Sequence, residues 1–490
     1  MMPFHVYNNE LPSIWLLGAI TSCIAFAGLV FYRLYLHPLS NFPGPRLAAA
    51  THWYEAYFEL VHNGGSLYAA KIRQLHAEYG PVVRINPNEI SVNDAQFHDE
   101  LYAPHPAIRY KDPALSALLG TNNGSFGTSD HYLHRQRRVA YNPFFASANV
   151  AAAEQIIKHK VNHLCDLLWS RRADSPNIRT YLAAISFDSF FTMAFGRPLD
   201  LLDNLALAEE FNSTVELLAT SPPVYKLFPS LLILQAAERF GQDERDGKVP
   251  VSRSKSVPET LFSVIKRSKI ADEEKTSSRM SHEGVEMFMA TYTSGRTMLA
   301  GLYYLHANPD VLDTLRKELG QAYAGPTDEL SFKTLNTLPY LRAVVKEILR
   351  VSFPVGSRIP MICHDTMTCR DWDIPAHTSI SVNHRNLLFD PEVFEEPYAF
   401  RPERWLDKSN PIDEKRYFVV FGKGARGCPG KEYSMQLIQF TLATLVQRFE
   451  FQLSDETSFE RDVKVARESL VTAPSSNSQG IKLSIIASRG

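Results

Sequence analysis

The chain has almost no net charge, few cysteines and only one long uncharged apolar run, and each shortage removes a class of function. Lysine and arginine number 51 against 53 acidic residues, a formal net charge of −2. With no basic excess and no basic tail, nucleic acid is not an expected partner. Five cysteines (Cys23, Cys165, Cys363, Cys369, Cys428) are odd in number and irregularly spaced, so no disulfide framework is expected. Cys363 and Cys369 lack C-x-x-C spacing, which argues against a zinc site. No internal repeat is visible, and no long low-complexity linker follows Gly44. A chain of 490 residues can bury a large core, so residues 37–490 are expected to form one large domain.

The one apolar run, residues 14–32, spans about 28 Å as a helix, close to the hydrocarbon thickness of a bilayer. Trp15 and Tyr32 stand where interfacial anchors belong. Arg33 follows at once, and Glu10 is the only charged side chain before the span, so the remainder is expected on the cytoplasmic side. The run is long, and no basic segment precedes it, which fits an anchor over residues 1–36 better than a cleaved signal. Pro38, Pro43, Gly44 and Pro45 then make a stiff, helix-incompatible elbow. A second apolar stretch, residues 222–234, is too short to span and reads equally as a core helix or as a loop dipping into the bilayer.

Periodicity predicts helices over residues 66–79, 150–171 and 178–195, and almost throughout 260–319. Residues 81–94 have the β-branched content and turn punctuation of a hairpin. Residues 371–386 and 481–487 supply further short strands. Residues 121–127 read as a mobile loop and 249–256 as a surface connector. The expected fold class is mostly α with small β-sheets.

One decapeptide carries chemistry: Phe421-Gly422-Lys423-Gly424-Ala425-Arg426-Gly427-Cys428-Pro429-Gly430. Its residue types make sense together if Cys428 is a thiolate on iron. Glycines let the backbone turn tightly and lie flat against a planar cofactor. Amides of such a turn can point at the sulfur and stabilise its charge. Arg426 offers a planar cationic fork suited to a carboxylate, Phe421 an apolar cover, and Gly430 a helix start beside the anionic sulfur.

The pattern F-G-x-G-x-R-x-C-x-G resembles the haem-ligand loop of the cytochrome P450 family at every fixed position. The P-G-P hinge after an anchor is similar to that of its microsomal members. FPGPRLAAATHWYE, RINPNEISVND and HRQRRVAYNPFF look like fungal secondary-metabolism members. The resemblance covers nearly the whole chain. It implies a haem-thiolate fold, haem b with Cys428 as metal ligand, and electrons from NADPH through an NADPH-cytochrome P450 reductase. It also implies a hydrophobic terpenoid or polyketide-type substrate and a place at the endoplasmic reticulum membrane. Phe421, Gly422, Arg426 and Gly430 then become cofactor-binding residues. His134 and Arg138, one turn apart, fall where the family has W-x-x-x-R, and Arg358 is a third propionate candidate. The neighbouring Arg135 and Arg137 read as a basic surface face suited to an acidic electron donor. Glu347 and Arg350 match E-x-x-R, and Arg404 lies in the P-E-R-W segment, which implies a buried charge network for folding and haem retention. Substrate walls are implied at residues 108–126, 217–234, 288–297 and 354–359, and at Val471 and Thr472.

One segment departs from the family. The helix above the iron usually carries an acid before its oxygen-binding threonine. Here Thr293 holds the threonine position, and Tyr292 stands where the acid belongs. A tyrosine relays protons at neutral pH far more slowly than a carboxylate. Tyr292, ordered water or substrate hydroxyls are therefore the expected relay. An isomerase or dehydratase, or a non-catalytic haem-binding protein, is the alternative reading.

Overall fold

A computed structural model describes residues 11–116, 123–174, 177–220, 258–322 and 330–489. Segments 222–234 and 249–256, part of the loop 121–127, and much of the implied walls 108–126 and 217–234 lie outside the described residues. Elsewhere the described chain is mostly helical with small sheets, as expected.

The hairpin at 81–94 is present as Val82–Asn86 paired antiparallel with Glu89–Val92. The second of these strands runs parallel to Ser379–Val382, which continues through Met361–Ile362 to Tyr110–Lys111. Five short strands from distant parts of the chain thus form one sheet. All residues of its three longest strands are buried, because structure covers both faces. The final strand, Leu483–Ser488, pairs with Phe449–Leu453.

Helix Ile178–Phe195 occupies the bounds its sequence predicts, and every residue in it except Arg179 and Thr192 is buried. A helix apolar all round must be enclosed, and it packs between Glu154–Ser170, Leu205–Thr220 and Tyr292–Ala307. Its one buried acid, Asp188, is satisfied by Lys160 Nζ at 3.3 Å and by the backbone amides of Leu199 and Leu201. One predicted helix is interrupted, and one predominantly helical stretch is divided. Residues 150–171 break at Ala153 between Ser147–Ala152 and Glu154–Ser170. Residues 260–319 divide into Leu261–Arg267, Ser277–Ala290, Tyr292–Ala307 and Pro309–Ala322.

At the N-terminus, helix Leu11–Phe31 and a π-helical turn, Tyr32–Leu36, follow each other. One described helix, Trp15–Leu36, is long and apolar enough to cross a membrane, and none of it is buried in the protein. The elbow is held by contacts as well as by prolines. Arg84 N–H donates to the Pro43 carbonyl at 2.7 Å. A side chain on Gly44 would come within 2.4 Å of the Arg84 carbonyl oxygen, so only glycine fits there.

Candidate active site

The cysteine loop is a tight turn ending in a long helix. Gly422 and Gly424 both have positive φ, at 64° and 63°. A Cβ on Gly424 would lie 2.0 Å from the Tyr102 carbonyl, so the loop packs backbone to backbone against residues 102–103. Phe421 accepts the Cys428 N–H at 2.7 Å, which closes the turn. Cys428 stays exposed, immediately ahead of helix Lys431–Arg448. The protein crowded around the sulfur raises its thiol. Three features oppose that: the Gly430 amide, which bonds the sulfur, and the positive charges of Arg138 and Lys431. They favour the anion a metal needs.

Arg138, His134 and Arg426 come together beside this turn. Helix His131–Tyr141 is started by Asp130, whose carboxylate accepts the Leu133 amide. It aims Arg138 at the loop, where Nη2 donates to the Gly427 carbonyl at 2.7 Å. Arg426 donates to the carbonyls of Thr128 at 2.7 Å and Ser129 at 3.0 Å. Burial, foremost, draws its guanidinium down to about 10. His134 is buried and pushed down to about 2 by desolvation and then by Arg426, Arg138 and Lys111, so its imidazole is neutral. The charged groups of Arg138 and Arg426 therefore rest on neutral carbonyls. A cluster of this kind is completed by an anion.

Lys111 belongs to the same cluster and was not anticipated. Its ammonium is buried, donates to the Phe126 carbonyl at 2.5 Å and lies 3.3 Å from the centre of the Phe126 ring. Burial pushes it well below the usual lysine range. The loop beneath it is pinned by two equally unanticipated acids on Ser277–Ala290. Glu283 accepts from the Ser125 hydroxyl at 2.8 Å, while Glu286 accepts the amides of Phe126 at 2.7 Å and Gly127 at 2.8 Å. Glu283 and Glu286 stand three apart, on one helix face, and that spacing is the signal that marks them. One loop thus links the distal helix to the cations beside Cys428.

Two expectations need correction. Arg358 does not join this cluster. Its Nε and Nη2 donate to Glu89 and Glu55, each at 2.7 Å, and two buried carboxylates leave it no charge for a propionate. It lines a separate cavity of about 290 Å³ with Asp112, Ser357 and Leu470. Arg137 is not on the surface. It is buried, with Nε 2.6 Å from Glu274 and Nη1 2.7 Å from the Thr128 hydroxyl, while Arg135 is exposed.

On the distal side the helix is interrupted at Thr291. The amides of Thr291 and Ser294 bond three residues back, and the Thr293 hydroxyl donates to the Ala290 carbonyl at 2.8 Å. The Thr291 carbonyl takes the Ser186 hydroxyl at 2.6 Å as well as the Ser294 amide at 3.0 Å. Gly295 allows the close approach, since a Cβ there would be 3.0 Å from the Leu182 carbonyl. Ala290 is exposed and Thr293 half-buried, but Tyr292 is buried in the main core. Its hydroxyl accepts from Arg296 at 3.4 Å, and burial, ahead of every charge, raises the phenol. Tyr292 and Thr293 thus occupy different faces. Of the implied walls, 354–359 and Val471–Thr472 meet: Val355 bridges to Val471, and the Thr472 amide donates to the Pro354 carbonyl at 3.1 Å.

The remaining implied residues form a closed network. Arg350 donates to Glu347 through Nε at 2.9 Å and Nη2 at 2.8 Å, and Arg404 Nε donates to it at 3.1 Å. Trp405 Nε1 supplies a further bond at 2.8 Å. The carbonyls of Leu388, Pro397 and Glu395 take the outer guanidinium hydrogens.

A cysteine at a glycine turn, its sulfur bonded by an amide, beside two half-buried guanidinium groups that rest on carbonyls, suits an iron porphyrin bearing two propionates. Comparison with known proteins agrees. The cytochrome P450 family model matches residues 52–478. The cytochrome P450 monooxygenase sdnE of Sordaria araneosa is 31% identical over 95% of this chain and 97% of its own length. Tryptophan 6-hydroxylase fscE of Fusarium equiseti is 30% identical, covering 97% of both chains. The monooxygenase tpcC of Cochliobolus heterostrophus is 32% identical over 89% of this chain and 88% of its own. Loop, charge network and full-length likeness lead to one conclusion: this chain belongs to the cytochrome P450 family of haem oxidoreductases.

Proposed function

We propose that the chain is a membrane-anchored monooxygenase that inserts one atom of dioxygen into a C–H bond of a hydrophobic terpenoid or polyketide-type secondary metabolite. In this reading residues 1–36 are the anchor and 37–490 the catalytic domain, on the cytoplasmic face of the endoplasmic reticulum. Electrons come from NADPH through NADPH-cytochrome P450 reductase. The observation that carries it is the Cys428 turn, with its amide-bonded sulfur and the Arg138, Arg426, His134 and Lys111 cluster beside it. Haem b, when bound, supplies dioxygen activation at its iron.

The chain's own residues do the rest. Cys428 would hold the haem iron, Arg426 and Arg138 would bind its propionates, and neutral His134 has a ring N–H it could donate. Thr293 sits at the helix break, where its hydroxyl and the interrupted ladder make room for water. Tyr292 is poorly suited to relay protons because it is buried, raised and turned to Arg296. Proton delivery therefore falls to the Thr293 hydroxyl, water and substrate hydroxyls. The same observation favours a second reading, an isomerase or dehydratase working on a peroxide, which needs less proton delivery. Microsomes containing the protein and its reductase, given candidate substrates, distinguish the two. Substrate-dependent NADPH consumption with oxygenated product is the expected result. Turnover that proceeds equally without NADPH supports the second.

A further inference from the structure

A helix break bonded only by its own residues is soft, because the regular backbone ladder competes with it at every turn. The distal break has such local bonds. The hydroxyls of Thr291 and Thr293 donate to carbonyls three residues back, Phe288 at 2.7 Å and Ala290 at 2.8 Å. The Thr297 hydroxyl donates to the Thr293 carbonyl at 2.8 Å.

Two further hydroxyls reach the break from other helices. Ser186 donates to the Thr291 carbonyl at 2.6 Å, and the Ser434 hydroxyl lies 3.3 Å from that of Ser294. The Ser186 bond is the shorter and the better enclosed. Ser186 is fully buried, as are its chain neighbours Ile185 and Phe187, so its hydroxyl has lost water and needs a partner. Ser189, three residues on and buried as deeply, has no such partner among the described residues. The Thr291 carbonyl is therefore a specific destination and not a general feature of serines on this helix. Gly295 sets the fit. A Cβ there would lie 3.2 Å from the Cα of Ala183, so the two helices meet backbone to backbone beside the Ser186 bond.

We propose that Ser186 is a positioning residue for oxygen insertion. By holding the Thr291 carbonyl against helix Ile178–Phe195, it fixes the break and keeps the Thr293 hydroxyl on the open face beside exposed Ala290. Thr293 gives its hydroxyl hydrogen to Ala290, so its lone pairs remain to accept from water. Where those lone pairs point depends on where the break is held. The consequence for turnover rests on the monooxygenase reading; the holding role does not.

The test uses full-length holoenzyme with its reductase and a substrate oxygenated in the microsomal assay. Product and hydrogen peroxide formed per NADPH are measured, and amide hydrogen exchange along the distal helix is followed without substrate. Ser186→Ala is expected to lower product per NADPH about fivefold, with peroxide rising to match, and to speed exchange at the Thr293 and Ser294 amides about tenfold. Ser186→Thr keeps the hydroxyl and is expected to stay within about twofold of wild type in both readouts. Ser189→Ala removes an equally buried hydroxyl from the same helix and is expected to move neither. Ser186→Ala that matches Ser189→Ala overturns the proposal. A loss that Ser186→Thr shares also overturns it, because packing and not the hydroxyl then sets the effect. Either readout moving alone does the same, since holding and proton delivery are one effect here. Wild-type protein that forms no NADPH-dependent product defeats the monooxygenase reading instead, and the exchange comparison then decides the role of Ser186 by itself.

Discussion

Two clusters of positive charge, one buried and one half-buried, differ in one respect that separates folding from function. Around Glu347, the guanidinium groups of Arg350 and Arg404 meet a shared carboxylate, and the backbone carbonyls of residues 388–399 take the surplus hydrogens. Around Arg426, the charged groups of Arg426 and Arg138 meet neutral carbonyls, and His134 is kept neutral beside them. The first cluster is complete within the chain. The second has no carboxylate bonded to its guanidinium groups among the described residues. A half-buried guanidinium held only by carbonyls keeps a charge that the protein does not neutralise, which suits an anionic ligand.

The contrast predicts opposite responses to losing one member, and the largest effect belongs to the closed network. Glu347→Gln strands two buried guanidinium groups and is expected to cost about 3–5 kcal/mol, read as a large fall in thermal midpoint together with haem loss. A midpoint near wild type would remove the distinction. Arg426→Ala should behave differently. The haem-free chain folds at least as stably as wild type, while haem leaves for a scavenger protein about 10- to 100-fold faster. Unchanged haem release would show that the open cluster is not a propionate site.

Acid stability sharpens the comparison from another side of the cysteine loop. His98 is buried and His384 half-buried, ring to ring at 5.2 Å, behind Tyr102. Burial, foremost, depresses both, to about 2 for His98 and about 4 for His384. A depressed base keeps its full contribution above its unfolded value near 6.5 and loses it as pH falls toward the folded value. Each histidine should therefore cost about 1.4 kcal/mol per pH unit below about 6.5, His384 levelling off near 4 while His98 continues. Urea midpoints measured against pH should show this slope, and His98→Phe should remove one proton from it. The smallest effect is expected at Tyr292. Thr293→Ala should cut product formed per NADPH at least about tenfold, while Tyr292→Phe changes it less than about twofold. Equal losses would return Tyr292 to the relay.

What sequence could supply follows from how local each feature is. The cysteine turn, the Glu347–Arg350 helix pair and helix Ile178–Phe195 are contiguous, so spacing and residue type suffice to find them. The hairpin at 81–94 was legible for the same reason. Arg358 was a propionate candidate through the family resemblance alone. Its partner Glu89 lies 269 residues away, and only the assembled sheet reveals the pair. Arg137 looked like a surface cation until the fold delivered Glu274, 137 residues on. Lys111 was invisible because its burial depends on a loop held from 160 residues downstream by Glu286. The break at Ala153 had no proline or glycine to announce it.

The account stands on Cys428 being bonded to haem iron as a thiolate, and carbon monoxide reports that bond directly. Reduced with dithionite and exposed to carbon monoxide, the haem-loaded protein is expected to show the strongly red-shifted Soret band of a thiolate ligand. Folded, haem-replete protein that shows only the shorter-wavelength band of a histidine-ligated haem would contradict it.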